Sequence, residues 1–157
     1  MQRKPGRARR QEKTLRVWTY DETRAASPYI ASILRSIRER RLEAVRQHRA
    51  VDELAKAPGR PDRHAILALE SARAEAERAD EGLNEALHEL LAMDVYCVDP
   101  VQGQGLVPFV QDDQLAWFVF DLFDADPLRF WRFHTDSLET RRPIAQIVEQ
   151  PGRTMIA

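Results

Sequence analysis

Residues 65–93, AILALESARAEAERADEGLNEALHELLAM, form the longest regular pattern in the chain. Apolar side chains recur there at alternating spacings of four and three residues, which is the repeat of one face of an α-helix. The positions are Ala65, Leu69, Ala72, Ala76, Ala79, Leu83, Ala86, Leu90 and Met93. The pattern predicts a long helix whose alanine-rich face allows a second helix to approach closely. Asp62 stands just before it and is the expected N-cap.

A second long helix is predicted upstream, from Tyr29 to about Lys56. Seven of nine positions on its repeating face are apolar: Ala26, Ile30, Ile33, Ile37, Arg40, Ala44, Gln47, Val51 and Leu54. The stretch Thr19–Glu22 fits a capping box, in which a hydroxyl and a carboxylate satisfy free backbone donors. Pro28 falls between this cap and the main pattern, so the first turns are either a separate short helix or kinked there.

The two helices are expected to form an antiparallel hairpin. Residues 57–61, APGRP, contain two prolines and a glycine and therefore predict a turn too short for any other arrangement. The first helix is rich in arginine between Arg35 and Arg49, whereas residues 62–94 carry nine acidic groups against three arginines, a net charge of -6. We interpret these charges mainly as solvated faces with weak cross-helix pairs.

Short apolar and aromatic segments after Met93 predict β-structure. Val95–Val98 is one short segment, and residues 106–110, 115–123 and 128–133 are strands joined by the polar tetrapeptides 111–114 and 124–127. Pro108 has no backbone N–H, which predicts an edge position for the first of these three strands. The fold class is therefore α+β, mostly α: a long antiparallel helical hairpin of coiled-coil type, followed by a small antiparallel meander of three to four strands.

One polar cluster is predicted on this sheet. If the tetrapeptides close simple hairpins, Val110 pairs with Leu115 and Phe123 with Leu128. The outer sheet face then carries an acid, a cation and an imidazole beside an aromatic side chain, namely Asp121, Arg132, His134 and Trp117. His134 would lie opposite Trp117, and Asp121 diagonal to Arg132. Such a group is either an acid–base or ligand site or a cross-strand ion pair, and a slip in register would change it.

The first 16 residues are strongly basic, with seven cations against one acid, a net charge of +6. Residues 1–13 have almost nothing to bury and are expected to be a disordered basic arm. Its candidate polyanion-binding residues are Arg3, Lys4, Arg7, Arg9, Arg10 and Lys13. Cations in such a segment release counterions from nucleic acid without reading its sequence. A solubilising tail is the alternative.

Several stretches resemble one bacterial family, catalogued as domain of unknown function 2203, over about residues 17–145. They are Trp18-Thr19, Asp21-Glu22 and Pro28 at the start, then Gly105–Phe109, the aromatic strand around Trp117, Leu128–Trp131 and Arg141–Ile144. The resemblance implies the same helical hairpin and meander, and it brings no established activity. Pro108 stands where the family would have an acidic residue, and Arg132 where histidine is common, which speaks against catalysis by the family's polar cluster.

Other chemistry is not indicated by the sequence. Cys97 is the only cysteine, so no intramolecular disulfide can form, and it is expected to be a small buried side chain. His48 and Asp52 are one helical turn apart, but two ligands do not make a metal site, and no cofactor motif is present. No secretory signal is evident, and the longest apolar run, residues 115–120, is far too short to span a bilayer. The expected location is the cytoplasm.

The expected organisation is a basic arm (1–13), a single domain (14–145) with the hairpin at 19–94 and the meander at 95–134, and an irregular tail (146–157). The favoured function is a non-enzymatic interaction or scaffold protein that forms homo-oligomers or binds a protein partner through its hairpin. The sheet's outer face, too apolar to be bare, would also accept a partner. The alternatives are nonspecific nucleic-acid binding through the arm and the Arg-rich helix face, and a ligand or enzymatic site on the sheet.

Overall fold

The computed structural model describes residues 14–148 and confirms the predicted fold class. Two long helices come first, followed by a five-stranded sheet and a short final helix. The elements are α1 (Tyr20–Ala55), α2 (Arg63–Leu91), β1 (Tyr96–Asp99), β2 (Gln104–Gln111), β3 (Gln114–Asp121), β4 (Phe130–Phe133), β5 (Arg142–Pro143) and α3 (Ala145–Val148). The strands lie in sequence order, and every neighbouring pair is antiparallel, which is a meander.

The helix α1 begins where its cap was predicted. The Glu22 N–H donates to the Thr19 hydroxyl at 3.1 Å, while the Glu22 carboxylate contacts Arg16 instead of completing the capping box. The helix runs through Pro28 without interruption, which rules out a separate short helix. Pro28 is exposed, so water can reach the carbonyl of Arg24 that lacks its usual donor.

The helix α2 is capped by Asp62 as predicted, since its carboxylate accepts from the Ala65 N–H at 2.7 Å. It packs antiparallel on α1. The Tyr29 hydroxyl donates to Glu89 at 2.8 Å near one end of the hairpin, and His48 contacts Asp80 at 2.8 Å further along.

Arg40, the one charged member of the predicted α1 face, is accommodated by a glycine on α2. Gly82 is buried and has no Cβ, and a Cβ added there would meet the Arg40 guanidinium. The Arg40 Nε–H donates to the Ser36 hydroxyl at 3.2 Å. The arginine therefore interrupts the apolar spacing without separating the two helices.

Two features of the sheet differ from the sequence-based prediction. The sheet has five strands, because Arg142 and Pro143 return to pair with β4. The predicted edge position of the Pro108 strand is wrong, since β2 lies between β1 and β3. Pairing with β1 ends at Leu106, however, so no β1 residue faces Pro108. There the Pro108 carbonyl accepts from the Trp18 N–H at 2.7 Å, and the missing proline N–H disturbs no strand pair.

One face of the sheet packs on the helices and forms the core. Phe109 and Phe118 are fully buried and stack with ring centroids 3.9 Å apart. Ile30, Leu34 and Leu90 meet them from the helices. Trp18 joins the core from the segment before α1 and donates through Nε1 to the Met93 carbonyl at 3.1 Å. Period-two alternation puts Val107, Phe109 and Phe118 on the face opposite Trp117, and this face is indeed the one that packs on the helices.

Burial is confined to the half of the hairpin that lies against the sheet. Between residues 45 and 75 no residue is buried, and we call this segment the distal hairpin. Its predicted apolar face holds the two helices together with side chains that are only partly covered, such as Val51, Leu69 and Ala72.

Candidate functional site

The predicted polar cluster lies on the outer face of the sheet, but the register of β3 and β4 differs from the prediction. Trp117 pairs with Arg132 and Val119 with Phe130, a displacement of two residues from the arrangement in which Phe123 meets Leu128. An even displacement leaves every side chain on its predicted face. Only the partners across the strands change.

The displacement results from the connection between β3 and β4, which spans residues 122–129 instead of four residues. Aspartate side chains shape it. The Asp126 N–H donates to the Asp124 carboxylate at 3.3 Å, and the Leu128 N–H donates to the Asp126 carboxylate at 3.1 Å. These local hydrogen bonds satisfy backbone groups that would otherwise pair across the strands. Strand pairing therefore ends before the apolar segments of the sequence end.

Asp121 does not meet Arg132, and the predicted diagonal pair is wrong. Asp121 lies four residues along β3 from Trp117, the partner of Arg132, or about 13 Å at strand rise. Its carboxylate accepts from the Phe123 N–H at 3.1 Å and so belongs to the turn.

Trp117 and His134 do meet, although diagonally and not directly opposite. The Trp117 Nε1–H donates to His134 Nδ1 at 3.1 Å. Because indole nitrogen only donates, Nδ1 must be the unprotonated acceptor in this contact. Trp117 is buried under Tyr96, whose ring meets it edge-on at 5.6 Å, whereas His134 is exposed. The pair joins β3 to the residue that follows β4.

Arg132 is the most unusual side chain of the cluster because it is only 5% exposed and forms no ion pair with a carboxylate of residues 14–148. Its guanidinium makes one long bond, from Nη1 to the Phe133 carbonyl at 3.4 Å. Burial lowers the pKa of Arg132, the nearby Arg141 lowers it further, and Asp136 opposes both. Asp136 is held elsewhere, by Arg142 at 2.8 Å.

A narrow cleft of about 30 Å³ opens beside Arg132. Its second cation is Arg141, whose Nη1 donates to the Leu138 carbonyl at 2.9 Å. The remaining wall is aliphatic or neutral: Val98, Gln104, Gly105, Leu106, Val119 and Leu138. Two guanidinium groups and no acid therefore line one small cleft.

The sequence did not predict the contribution of Arg141 to this site. The segment after β4 folds back over the sheet, and β5 carries Arg142 toward Asp136 while Arg141 stays at the cleft. The adjacent arginines Arg141 and Arg142 were the only local signal. Their different partners depend on the return of the chain to β4, which no local pattern indicated.

The same returning segment covers part of the outer sheet face. Val119 and Trp117 are buried by the chain itself: Leu138 lines the cleft together with Val119, and the Tyr96 ring packs on Trp117. The face was predicted to be too apolar to be bare and to accept a partner. At these residues the chain itself provides the cover, and a partner elsewhere on the face stays a prediction.

The basic arm is not part of this geometry. Its candidate residues Arg3, Lys4, Arg7, Arg9, Arg10 and Lys13 lie outside the described residues, and nucleic-acid binding stays a prediction. Of the basic lead-in only Arg16 is described, and its guanidinium sits 3.9 Å from the centroid of the Trp18 ring. On α1, Arg41 and Arg49 line a shallow depression of about 370 Å³ together with Val45, His48 and Asp52.

Cys97 and the scattered histidines form no reactive centre in the described part of the chain. Burial, with a smaller contribution from Asp99, raises the pKa of the Cys97 thiol to about 11, so the thiolate is scarce near neutral pH. Within residues 14–148 no group of three or more potential metal-ligating side chains comes together. His48 pairs with Asp80 across the hairpin and not with Asp52.

Comparison with known proteins leaves the family open. No protein-family model, no curated protein and no solved structure matches this chain. The resemblance to domain of unknown function 2203 therefore stays a prediction. Among the helices of residues 14–148, none combines the length and apolar character needed to cross a bilayer.

Proposed function

We propose that this chain is a non-enzymatic interaction protein that pairs with a second copy of itself through the hairpin. The observation that carries the proposal is the exposure of large apolar side chains at and near the distal hairpin. Leu42, Val45 and Ile66 are between 38% and 46% exposed. Apolar side chains that are exposed and bordered by charged ones are typical of association surfaces.

Two stripes border the same flank of the hairpin. On α1, Arg38, Leu42, Val45 and Arg49 follow one another at spacings of four, three and four residues, so they share a face. Val45, Arg49 and His48 line the same depression, which places this stripe beside the His48–Asp80 contact.

On α2, Ile66, Glu70, Arg73 and Glu77 form the matching stripe at the same spacings. Ile66 and Arg73 lie fourteen and seven residues before Asp80. Side chains seven residues apart on a helix differ in direction by only about 20°, so Ile66, Arg73 and Asp80 lie on nearly the same side of α2. The α2 stripe therefore borders the same flank, marked by Asp80.

The charges of the two helices select a second copy as the partner. Residues 35–49 carry six arginines and two glutamates, a net +4, whereas residues 70–89 carry seven acids and two arginines, a net -5. In a dimer with a two-fold axis at this flank, α1 of each copy would lie against α2 of the other. The basic stripe of each copy would then face the acidic stripe of its partner. The apolar side chains of both stripes would be covered in a four-helix bundle.

The test is sedimentation equilibrium of the full chain over a range of protein and salt concentrations. The wild type should dimerise, and more weakly at high salt because the stripes carry opposite charges. The double variant Leu42→Glu/Val45→Glu should weaken dimerisation by at least about 100-fold, since it removes two apolar contacts per copy and adds like charge near the α2 stripe.

Leu67→Glu is the matched control. Leu67 is as exposed as Ile66, at 53% against 46%, but adjacent helix positions point to different faces, so Leu67 lies off the stripe. It should leave dimerisation unchanged, and circular dichroism should show the same helix content for all variants. A strict monomer at the highest concentration, or equal loss in the control, would overturn the proposal.

A further inference from the structure

The cleft between Arg132 and Arg141 is a second surface of the molecule, distinct from the hairpin stripes. We propose that it binds the carboxylate group of a small aliphatic acid. The inference rests on three properties of the cleft, namely its unneutralised charge, its size and its apolar wall. It does not depend on the hairpin, so either proposal can fail alone.

No carboxylate from the described residues lines the cleft, and Asp136, the acid near Arg132, is bonded to Arg142. A buried guanidinium normally keeps a carboxylate partner, because an unpaired buried charge is costly. Arg132 is nine-tenths buried, yet its one hydrogen bond is a long one to a carbonyl, and it forms no ion pair with a carboxylate of residues 14–148. Guanidinium has five N–H donors, and no fully buried side-chain nitrogen of residues 14–148 lacks a partner. The unused donors of Arg132 therefore reach the surface of the cleft.

A second cation faces the same space. Arg141 is close enough to Arg132 to lower its pKa, which means that two like charges are held together. Arg141 is tethered through the Leu138 and Thr140 carbonyls, at 2.9 and 3.0 Å, by a single guanidinium nitrogen, Nη1. Its other nitrogens are available to a ligand. An anion between the two arginines would relieve their repulsion.

The size and lining of the cleft select the kind of anion. A water-sized group needs about 10–15 Å³, so a cleft of about 30 Å³ holds two oxygen atoms and not a bulky phosphate ester. Guanidinium groups bind the two oxygens of a carboxylate in a planar, bidentate manner. Leu106, Val119 and Leu138 offer aliphatic contacts to whatever is attached. Leu138 is 71% exposed, so a short aliphatic chain lying on it would cover an apolar group now facing water.

The experiment is a titration of the full, ¹⁵N-labelled chain with 3-methylbutanoate, followed by amide and arginine side-chain signals. We expect saturable shifts restricted to the residues that line the cleft. 3-Methylbutanamide has the same shape without charge and should cause none. Inorganic phosphate has charge without an aliphatic part and should bind at least about tenfold more weakly, because it gains none of the apolar burial.

Arg141→Gln is the informative variant because Arg141 is exposed and its loss should not affect folding. It should weaken 3-methylbutanoate binding about tenfold, the usual effect of losing one charge-assisted hydrogen bond. Arg129→Gln, which removes an exposed arginine paired with Asp124, is the matched control and should bind like the wild type. Arg132→Gln should abolish binding, with its thermal unfolding recorded to show that it still folds.

A peptide ending in leucine separates two sources of the same carboxylate chemistry. If this peptide binds and its amidated form does not, the carboxylate of a chain terminus is a ligand of the cleft, and the result supports the site. Equal binding of both forms would overturn it. The proposal is also overturned by equal shifts with 3-methylbutanamide, by equal affinity for phosphate, or by unchanged affinity in Arg141→Gln.

Discussion

The two halves of the hairpin have the same sequence pattern but different surroundings. Near the sheet, Ile30, Ile37 and Leu90 are completely buried, because the aromatic face of the meander covers the helices there. In the distal hairpin the same repeat yields only partly covered residues, such as Leu69 and Val51. An apolar repeat therefore specifies which face a helix turns inward, but the depth of burial depends on a third layer, which only one half has.

The largest expected contrast concerns core side chains. Phe118→Ala should lower the free energy of unfolding by about 3–5 kcal/mol, since Phe118 is fully buried and stacked on Phe109. Leu69→Ala in the distal hairpin should cost about 1 kcal/mol, because its side chain is already partly hydrated. Urea unfolding of both variants measures the difference. Leu69 faces α1 and lies off the proposed dimer stripes, so the difference should persist at every protein concentration, and equal losses would contradict it.

The helix caps give a smaller contrast between chemically similar bonds. Thr19→Ala and Asp62→Ala each remove a side-chain acceptor from an N-terminal turn, worth about 1 kcal/mol. Thr19 begins α1 beside buried Trp18, so its loss should lower global stability. Asp62 begins α2 at the distal tip, where segments open locally, so its loss should mainly speed hydrogen exchange in the first turns of α2. Global unfolding by urea and residue-level exchange distinguish the two results.

The smallest contrast appears on acidification. The bond from Arg142, helped by the Phe133 amide, lowers the pKa of Asp136 to about 2. The unfolded value is about 3.9, so this stabilisation is complete above that pH and is lost as pH falls toward 2. Asp136→Asn should therefore be less stable than the wild type at neutral pH and approach it near pH 2.

Arg142→Gln should show the same convergence, which identifies the pair as its cause. The distal counterpart is the exposed pair between His48 and Asp80, which solvent screens. Asp80→Asn should consequently change stability at neutral pH very little. A steeper acid dependence in Asp136→Asn than in the wild type would contradict the assignment.

Local chemistry in the sequence predicted the elements well. Both N-caps, the antiparallel hairpin, the inward sheet face and the pairing of Val110 with Leu115 are confirmed. Each of these depends on side chains within a few residues of one another or on a simple periodic pattern. Arg40 shows the limit of such a pattern, because its place on the apolar face depends on Gly82, more than forty residues away.

The candidate site was predicted only in part, for a related reason. Trp117, Arg132 and His134 were placed on the correct face, since a strand alternates regardless of register. Asp121 was misplaced because carboxylates in the turn after β3 compete with strand pairing. Arg141 was missed because its position depends on the return of the chain to β4. Interactions between distant segments decide these features, and no local pattern encodes them.

The bond between the Trp18 N–H and the Pro108 carbonyl has a consequence for aggregation. The paired strands β2 and β3 hold the chain's densest aromatic and β-branched segments, and such segments polymerise when an uncovered edge can template another strand. At Pro108 an incoming strand would find no donor, because proline has none, and an acceptor that is already occupied. The tryptophan that completes the core thus also covers the part of β2 that β1 leaves unpaired.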